Sequence, residues 1–190
     1  MAPFDNVNIR KALNLSLDRN VITDKVLGQG QTPTYVFTPT YIEEGHLIQQ
    51  PAYSKEPMAQ RNEEAIKLLE EAGYSKANPL KFTILYNTNE NHKKVAIAAA
   101  SMWKANTKGL IDVKLENQEW KTYIDSRRAG RYDAARAGWN ADYNQATTFG
   151  NYFLSNSSNN TAKYANPEYD KAIAESYVAT DAEGRAKAYA

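Results

Sequence analysis

The sequence contains no cysteine among its 190 residues, so neither a disulfide nor a thiol nucleophile is available. Histidine is almost as scarce: the only two, His46 and His92, lie far apart, and neither belongs to a metal-binding run such as H-E-x-x-H. The carboxylate pairs, such as Glu43-Glu44, are typical of a loop or of a solvated helix face. We therefore expect no metal, no cofactor and no enzymatic activity.

An excess of charge of one sign and long apolar runs are also missing. Lysine and arginine number 23 against 22 aspartate and glutamate residues, which does not favour a nucleic acid as partner. The longest apolar runs, such as 95–100, are far shorter than the roughly 18 residues that cross a bilayer. The first residues, Met1 to Phe4, lack the basic and apolar regions of a secretory signal. The composition predicts a soluble chain, and its 13 tyrosines suit a binding surface.

Between residues 80 and 138 the hydrophobic pattern predicts strands alternating with helices. The expected segments are a strand over 80–87, a helix over 92–106, a strand over 111–115, a helix over 120–128 and an extended segment over 132–138. This order is typical of an α/β fold with a mostly parallel sheet flanked by helices. Ligands of such sheets bind beyond the carboxyl ends of the strands, here near 87–92, 117–120 and 138–143.

The flanking regions complete one predicted lobe over residues 1–190. Two helical pieces are expected in 8–27, with the first ending near Asp18, and further helices over 59–72 and 166–177. Residues 28–58, rich in proline and glycine, predict a long loop. Thr180 and Glu183 have the spacing of a capping box that opens a last helix. Because the apolar stripe of that helix stops at residue 190, we interpret the chain as cut there. The alternative is a naturally short protein with a frayed end.

Arg136 stands in the middle of a predicted strand made otherwise of small residues. A charge at such a position is costly unless it has a partner, so Arg136 either pairs with an internal carboxylate or meets an external anion. Arginine binds carboxylates through two hydrogen bonds, and Asp142 can accept hydrogen bonds from an ammonium group. With Trp139 and Tyr143 nearby, the segment suits a zwitterionic ligand, and the two interpretations of Arg136 remain open.

Three segments resemble the periplasmic oligopeptide-binding proteins of Gram-negative bacteria, the solute receptors of peptide ABC importers in solute-binding protein family 5. The segments are Leu115-Glu116-Asn117-Gln118-Glu119-Trp120-Lys121, Arg136-Ala137-Gly138-Trp139-Asn140-Ala141-Asp142-Tyr143, and Pro3-Phe4-Asp5-Asn6 leading into Ile9-Arg10-Lys11-Ala12-Leu13. The resemblance covers essentially the whole chain. It implies most of the C-terminal lobe of a type II periplasmic-binding-protein fold, within a larger protein whose two lobes close on a peptide.

The resemblance also implies a function, a location and a set of binding residues. The family captures short oligopeptides in the periplasm through their backbone and termini and delivers them to a membrane permease. Asp142 matches the aspartate that receives the amino terminus of the peptide. Arg136, Arg127 and His92 match cationic groups that meet the carboxyl termini of peptides of different lengths, and Trp120 and Trp139 match aromatic pocket walls.

The chain departs from the family pattern at two positions, and the missing lobe has two expected consequences. Some members have a cysteine where Asn140 stands, and a histidine is common where Arg128 stands. With only one wall of the cleft, the chain either binds peptide weakly or is an isolated, engineered domain that folds without appreciable binding. We also expect self-association into a homodimer, because Trp120, Trp139 and Tyr143 on the ligand face, and the stripe through Tyr169, Ile173 and Tyr177, lose their cover.

Overall fold

A computed structural model describes residues 2–190, which divide into two compact units. The first, here called the sheet unit, runs to Pro33 and continues through Lys55–Arg127 and Arg131–Ala137. The second, the C-terminal unit, consists of Thr34–Ser54, Arg128–Gly130 and Gly138–Ala190. The prediction that residues 1–190 form one ligand-binding lobe stays a prediction.

The sheet unit combines strands with α-helices. The helices are α1 (Val7–Leu15), α2 (Met58–Glu71), α3 (Glu90–Asn106) and α4 (Trp120–Arg128), with a π-helical turn at Val21–Leu27. The last residue of α4, Arg128, is counted with the C-terminal unit. The strands are β1 (Leu80–Asn87), β2 (Ile111–Gln118) and β3 (Ala134–Ala135). Gly28 ends the π-helical turn in the left-handed conformation, with φ of 61°, as expected for glycine after a helix.

All strand pairs of the sheet are parallel, in the order β2-β1-β3. The pairing of β1 with β2 runs from Leu80 opposite Ile111 to Asn87 opposite Gln118. The central strand β1 is mostly buried, which agrees with a parallel sheet covered by helices. The rhythm of strand and helix in the sequence therefore predicted this part of the fold correctly.

The third strand is shorter than the extended segment predicted over 132–138. Only Ala134 and Ala135 pair with β1, and the N–H of Thr83 donates to the carboxylate of Asp133 at 3.0 Å. The carboxylate of Asp133 thus takes the place of a backbone acceptor for Thr83. The backbone pairing of β3 with β1 begins at the next residue, Ala134. Arg136 consequently follows β3 directly at its carboxyl end, and its placement in the middle of a strand was wrong.

The C-terminal unit is built from α-helices and 3₁₀ turns around a small apolar core. Its helices are α5 (Thr147–Gly150), α6 (Pro167–Val178) and α7 (Ala182–Ala188), with 3₁₀ turns at Gly45–Leu47 and Asn151–Phe153. The core consists of Ile42, Ile48, Ala146, Phe149 and Ala186. The carboxylate of Glu44, fully buried, accepts from the N–H of Ala146 at 3.0 Å and from Nε of Arg185 at 2.6 Å. Residues 34–54 are thereby tied to α5 and α7.

Several predicted helix boundaries differ from the observed ones, among them the end of the first helix and the start of the last. The first helix ends at Leu15 and not near Asp18. At α7 the N-cap is Asp181, whose carboxylate accepts from the N–H of Gly184 at 2.7 Å, and not Thr180. Aspartate is the better N-cap residue of the two, which explains the shift by one position. No helix among residues 2–190 has the length and apolar character needed to span a membrane.

Candidate functional site

Polar and aromatic side chains cluster where the strands of the sheet unit end. His92 lies in the first turn of α3 after β1, Trp120 begins α4 after β2, and Arg136 follows β3. Because the strands are parallel, their carboxyl ends lie at one edge of the sheet. The sheet therefore places these three sequence-predicted residues along one edge, hereafter the carboxyl edge.

His92 is held by the residues that open α3. The side chain of Asn89 caps the helix by accepting from the N–H groups of Asn91 and His92 at 2.9 and 3.1 Å. Nδ1 of His92 lies 2.8 Å from Oδ1 of Asn87, an acceptor, so Nδ1 donates and the proton of the neutral ring is on Nδ1. Burial lowers the pKa of His92 below its usual value, and the cation of Arg136 lowers it further. His92 is thus mainly neutral at pH 7.

Arg136 lies among cations and an aromatic ring. Its side chain is half-buried, and burial lowers the pKa of its guanidinium. Arg127 lowers that pKa further, whereas Tyr123 raises it. An arginine nevertheless keeps its charge in proteins. The ion pairs formed by residues 2–190 do not include Arg136, so the structure does not show the internal pair that the sequence left open.

Tyr123 contacts three other residues at the carboxyl edge, namely Trp120, Arg127 and Arg136. It is only 1% exposed, and its hydroxyl donates to the backbone carbonyl of Arg136. The guanidinium carbon of Arg127 lies 5.5 Å from the centre of the Tyr123 ring. The Trp120 ring lies 5.7 Å away on the other side and is 58% exposed. A cation and an exposed aromatic surface are thereby presented from one helix.

Asp142 and Trp139 belong to the C-terminal unit. The N–H of Asp142 donates to Oγ1 of Thr148 at 3.0 Å, and the same hydroxyl lies 3.4 Å from Oδ2 of Asp142. The carboxylate of Asp142 is exposed and therefore available to a cation. Trp139 is half-buried, with its ring 5.3 Å from that of Tyr152. Its Nε1 is buried and has no hydrogen-bond partner among the described residues.

The structure thus groups His92, Arg127, Arg136 and Trp120 in the sheet unit, and Asp142 with Trp139 in the C-terminal unit. Tyr123 was missed by sequence reasoning. Its spacing of three from Trp120 and four from Arg127 places all three on one helix face, a signal that was present. Among residues 2–190, no group of three or more histidine, aspartate and glutamate side chains is arranged to hold a metal ion.

In open α/β sheets, ligands bind beyond the carboxyl ends of the strands, where this chain has its cationic side chains. Similarity to known proteins identifies the class of protein. The chain belongs to the bacterial extracellular solute-binding proteins, family 5. The family model that matches is named "Bacterial extracellular solute-binding proteins, family 5 Middle", and it covers residues 1–161. This confirms the family resemblance and the α/β fold with a parallel sheet flanked by helices. Members are solute-binding proteins by description.

Among individual proteins, the chain is 98% identical over 189 residues to the periplasmic oligopeptide-binding protein OppA of Haemophilus influenzae. It is 51% identical to OppA of Salmonella typhimurium. Each match covers all of this chain but only 35% and 34% of the relative, so the chain spans about a third of the proteins it matches.

Solved structures agree with these matches. The crystal structure of Haemophilus influenzae OppA in complex with RPPGFSPFR superimposes with a TM-score of 0.96 at 97% identity, covering 100% of this chain and 37% of that one. The unliganded open form of the murein tripeptide binding protein MppA gives a TM-score of 0.92 at 42% identity, covering 100% and 36%.

Proposed function

We propose that the chain is the peptide-binding lobe of an oligopeptide receptor for ABC-transporter uptake, recognising the backbone and termini of its ligand. The observation that carries the proposal concerns Arg136. This half-buried cation lies beside Arg127, and no carboxylate of residues 2–190 neutralises Arg136. A ligand carboxylate would supply the missing charge. The near-identical OppA, solved with a peptide, supports a peptide as the source of that carboxylate.

Each candidate residue then has a role in holding a peptide. Arg136 and Arg127 bind the terminal carboxylate, with two parallel hydrogen bonds available from each guanidinium. His92 contributes through Nε2, accepting or, when protonated, donating a hydrogen bond. Trp120 and Trp139 form pocket walls against peptide side chains. Asp142, with its carboxylate next to Thr148, receives the terminal ammonium.

The proposal extends to partners and location. Because the chain spans 35% of its OppA relative, further contacts to the peptide come from the rest of a longer protein. That protein acts in the periplasm, as the names of the relatives indicate, and passes its peptide to a membrane permease. No catalytic step is part of this function, since the chain binds and releases its ligand unchanged.

The alternative is an isolated or engineered domain that folds but binds little or no peptide. It is favoured by the exposure of the groups that would touch the ligand, Trp120 at 58% and the carboxylate of Asp142. Ligand sites of small molecules normally enclose most of the ligand surface. One wall alone gives less burial and a weaker complex.

Calorimetric titration with trialanine and with trialanine amide separates the two. We expect the free acid to bind at least about tenfold more tightly than the amide, because only the acid carries the carboxylate that Arg136 meets. Arg136→Met should abolish this preference, whereas Arg131→Met, which removes an exposed arginine of the same unit, should retain it. Heat that is absent for both peptides at millimolar concentration would establish the alternative.

A further inference from the structure

Both peptide groups of Arg136 are held by hydrogen bonds within the sheet unit. Its N–H donates to the carbonyl of Leu85 in β1 at 2.8 Å, and its carbonyl accepts from the hydroxyl of Tyr123. Together these bonds fix the backbone from which the guanidinium extends. The strand supplies one of them, and a side chain of α4 supplies the other.

The same tyrosine contacts two more groups of the carboxyl edge. Arg127, one turn further along α4, has its guanidinium carbon 5.5 Å from the ring centre, within the range of a cation–π contact. Trp120, one turn earlier, has its ring 5.7 Å away and inclined by 32°. Tyr123 therefore lies between a cation and an aromatic surface, and its hydroxyl reaches the backbone carbonyl of a second arginine.

Burial makes the hydroxyl significant. At 1% exposure, Tyr123 has no solvent to satisfy a polar atom, and the carbonyl of Arg136 is the acceptor that the structure gives it. Phenylalanine would fill the same space and keep the ring beneath Arg127. It would, however, leave the carbonyl of Arg136 without this donor. A side chain needed only for packing would not require the hydroxyl.

We propose that Tyr123 is a positioning residue that sets the preference for a ligand carboxylate by holding Arg136 and Arg127 in place. The inference rests on the proposed function, since it concerns the same site. The two arginines act as one anion site because one buried tyrosine contacts both, Arg127 through its ring and the backbone carbonyl of Arg136 through its hydroxyl. The ligand group that the two arginines bind is a carboxylate, and Tyr123 itself does not touch that carboxylate.

The test compares Tyr123→Phe with wild type in the 190-residue chain. Titration with trialanine should show a loss of about three- to tenfold in affinity, the range of one net hydrogen bond, while the affinity for trialanine amide stays the same. The matched control is Tyr169→Phe, which removes a hydroxyl that donates to the carbonyl of Gly150 at 2.6 Å in the C-terminal unit. The control should keep the full preference for the free acid.

A second readout does not depend on peptide binding. In ¹⁵N-arginine NMR, Tyr123→Phe should speed hydrogen exchange at Nε of Arg136 and broaden its signal relative to wild type, whereas Tyr169→Phe should not. Unchanged exchange at Arg136 would overturn the positioning role. An equal loss for acid and amide would overturn it as well, because that result indicates a purely structural effect.

These readouts keep the two proposals apart. If wild type binds the acid no better than the amide, the proposed function fails, and the NMR comparison alone decides whether Tyr123 positions Arg136. Should Tyr123→Phe not fold, 3-fluorotyrosine at position 123 keeps both ring and hydroxyl. Its ¹⁹F resonance should then shift with trialanine and not with the amide, and an unmoved resonance at saturation would overturn the proposal.

Discussion

At the scale of single residues, Arg136 and His92 lie at the same edge of the sheet, but burial there leaves only one of them charged at pH 7. Arg136 keeps its charge although burial and Arg127 both oppose it, and no carboxylate of residues 2–190 compensates it. For His92, burial and the cation of Arg136 lower the pKa, so that His92 is mainly neutral at pH 7. The free protein thus carries an unfavourable charge arrangement that a bound carboxylate would relieve.

The stability of the free chain should reflect this arrangement. Arg136→Met removes a half-buried cation without breaking an ion pair, so we expect the free energy of unfolding to change by less than about 1 kcal/mol or to rise. Thermal unfolding without ligand measures this, with Arg131→Met as the control for an exposed arginine. A fall in Tm of several degrees for Arg136→Met alone would show that Arg136 has an internal partner.

Peptide affinity should depend on pH through His92. The pKa of His92 is lowered in the free protein, and a nearby ligand carboxylate raises it, so binding takes up a proton. By linkage, affinity for trialanine should increase as pH falls from 7.5 through the unperturbed histidine pKa of about 6.5. Calorimetry in buffers of different ionisation enthalpy measures the uptake. His92→Gln should reduce the uptake to the part that the terminal ammonium of the peptide contributes near pH 7.5. An affinity that is flat from pH 7.5 to 5.5 in wild type would contradict the role of His92.

At the scale of elements, some parts of the fold follow from local pattern and others from distant contacts. β1 and α4 were predicted with their observed bounds, because strict alternation and helical spacing are local properties. The third strand was predicted too long, since its start depends on Asp133 accepting from Thr83, which lies 50 residues earlier in the sequence. The hydroxyl of Tyr123 meeting the carbonyl of Arg136 is likewise a tertiary contact that periodicity does not reveal.

The segment before α2 shows how an irregular element is specified. Over residues 28–57 the structure has only the short 3₁₀ turns Gly45–Leu47 and Ala52–Lys55. At Gly45 an added Cβ would lie 2.0 Å from the carbonyl oxygen of Pro39. Only glycine allows this close approach of two backbone segments, next to the buried carboxylate of Glu44.

Gly45→Ala should therefore destabilise the C-terminal unit. The clash is with backbone atoms that cannot rotate away, so we expect a loss of about 2 kcal/mol or more in the free energy of unfolding. Gly184→Ala is the matched control, because the atom nearest to its added Cβ, 3.0 Å away, is at the end of the Asp181 side chain. Denaturant unfolding measures both. Equal and small losses would mean that the turn at Gly45 adapts without cost.

At the scale of the whole molecule, the chain spans about a third of its relatives, yet its apolar residues are better covered than the sequence suggested. The stripe through Tyr169, Ile173 and Tyr177 was expected to lose its cover. Ile173 is instead buried at 3% exposure, and Tyr169 is half-buried, with burial as the main cause that raises its pKa to about 12. Within this stripe Tyr177 stays exposed, at 60%, and the neighbouring Val178 is exposed at 79%.

Self-association stays a prediction on this smaller basis. Exposed apolar side chains at Tyr177, Val178 and Trp120 favour weak association that depends on concentration. Sedimentation velocity from about 10 to several hundred micromolar measures it, and Tyr177→Ser combined with Val178→Ser should shift the chain towards monomer. A strictly monomeric wild-type chain throughout that range would contradict the expectation.

We expect the carboxyl edge of the sheet to receive the carboxyl terminus of a peptide. Amide NMR of the 190-residue chain, titrated with trialanine and with its amide, tests it most directly. The free acid should shift the resonances of residues 87–92, 118–123 and 134–137, with a dissociation constant weaker than about 1 μM because one wall encloses less of the ligand than two. The amide should leave those resonances in place. Shifts that are the same for both peptides, or that leave these three segments unchanged at saturation, would contradict the account.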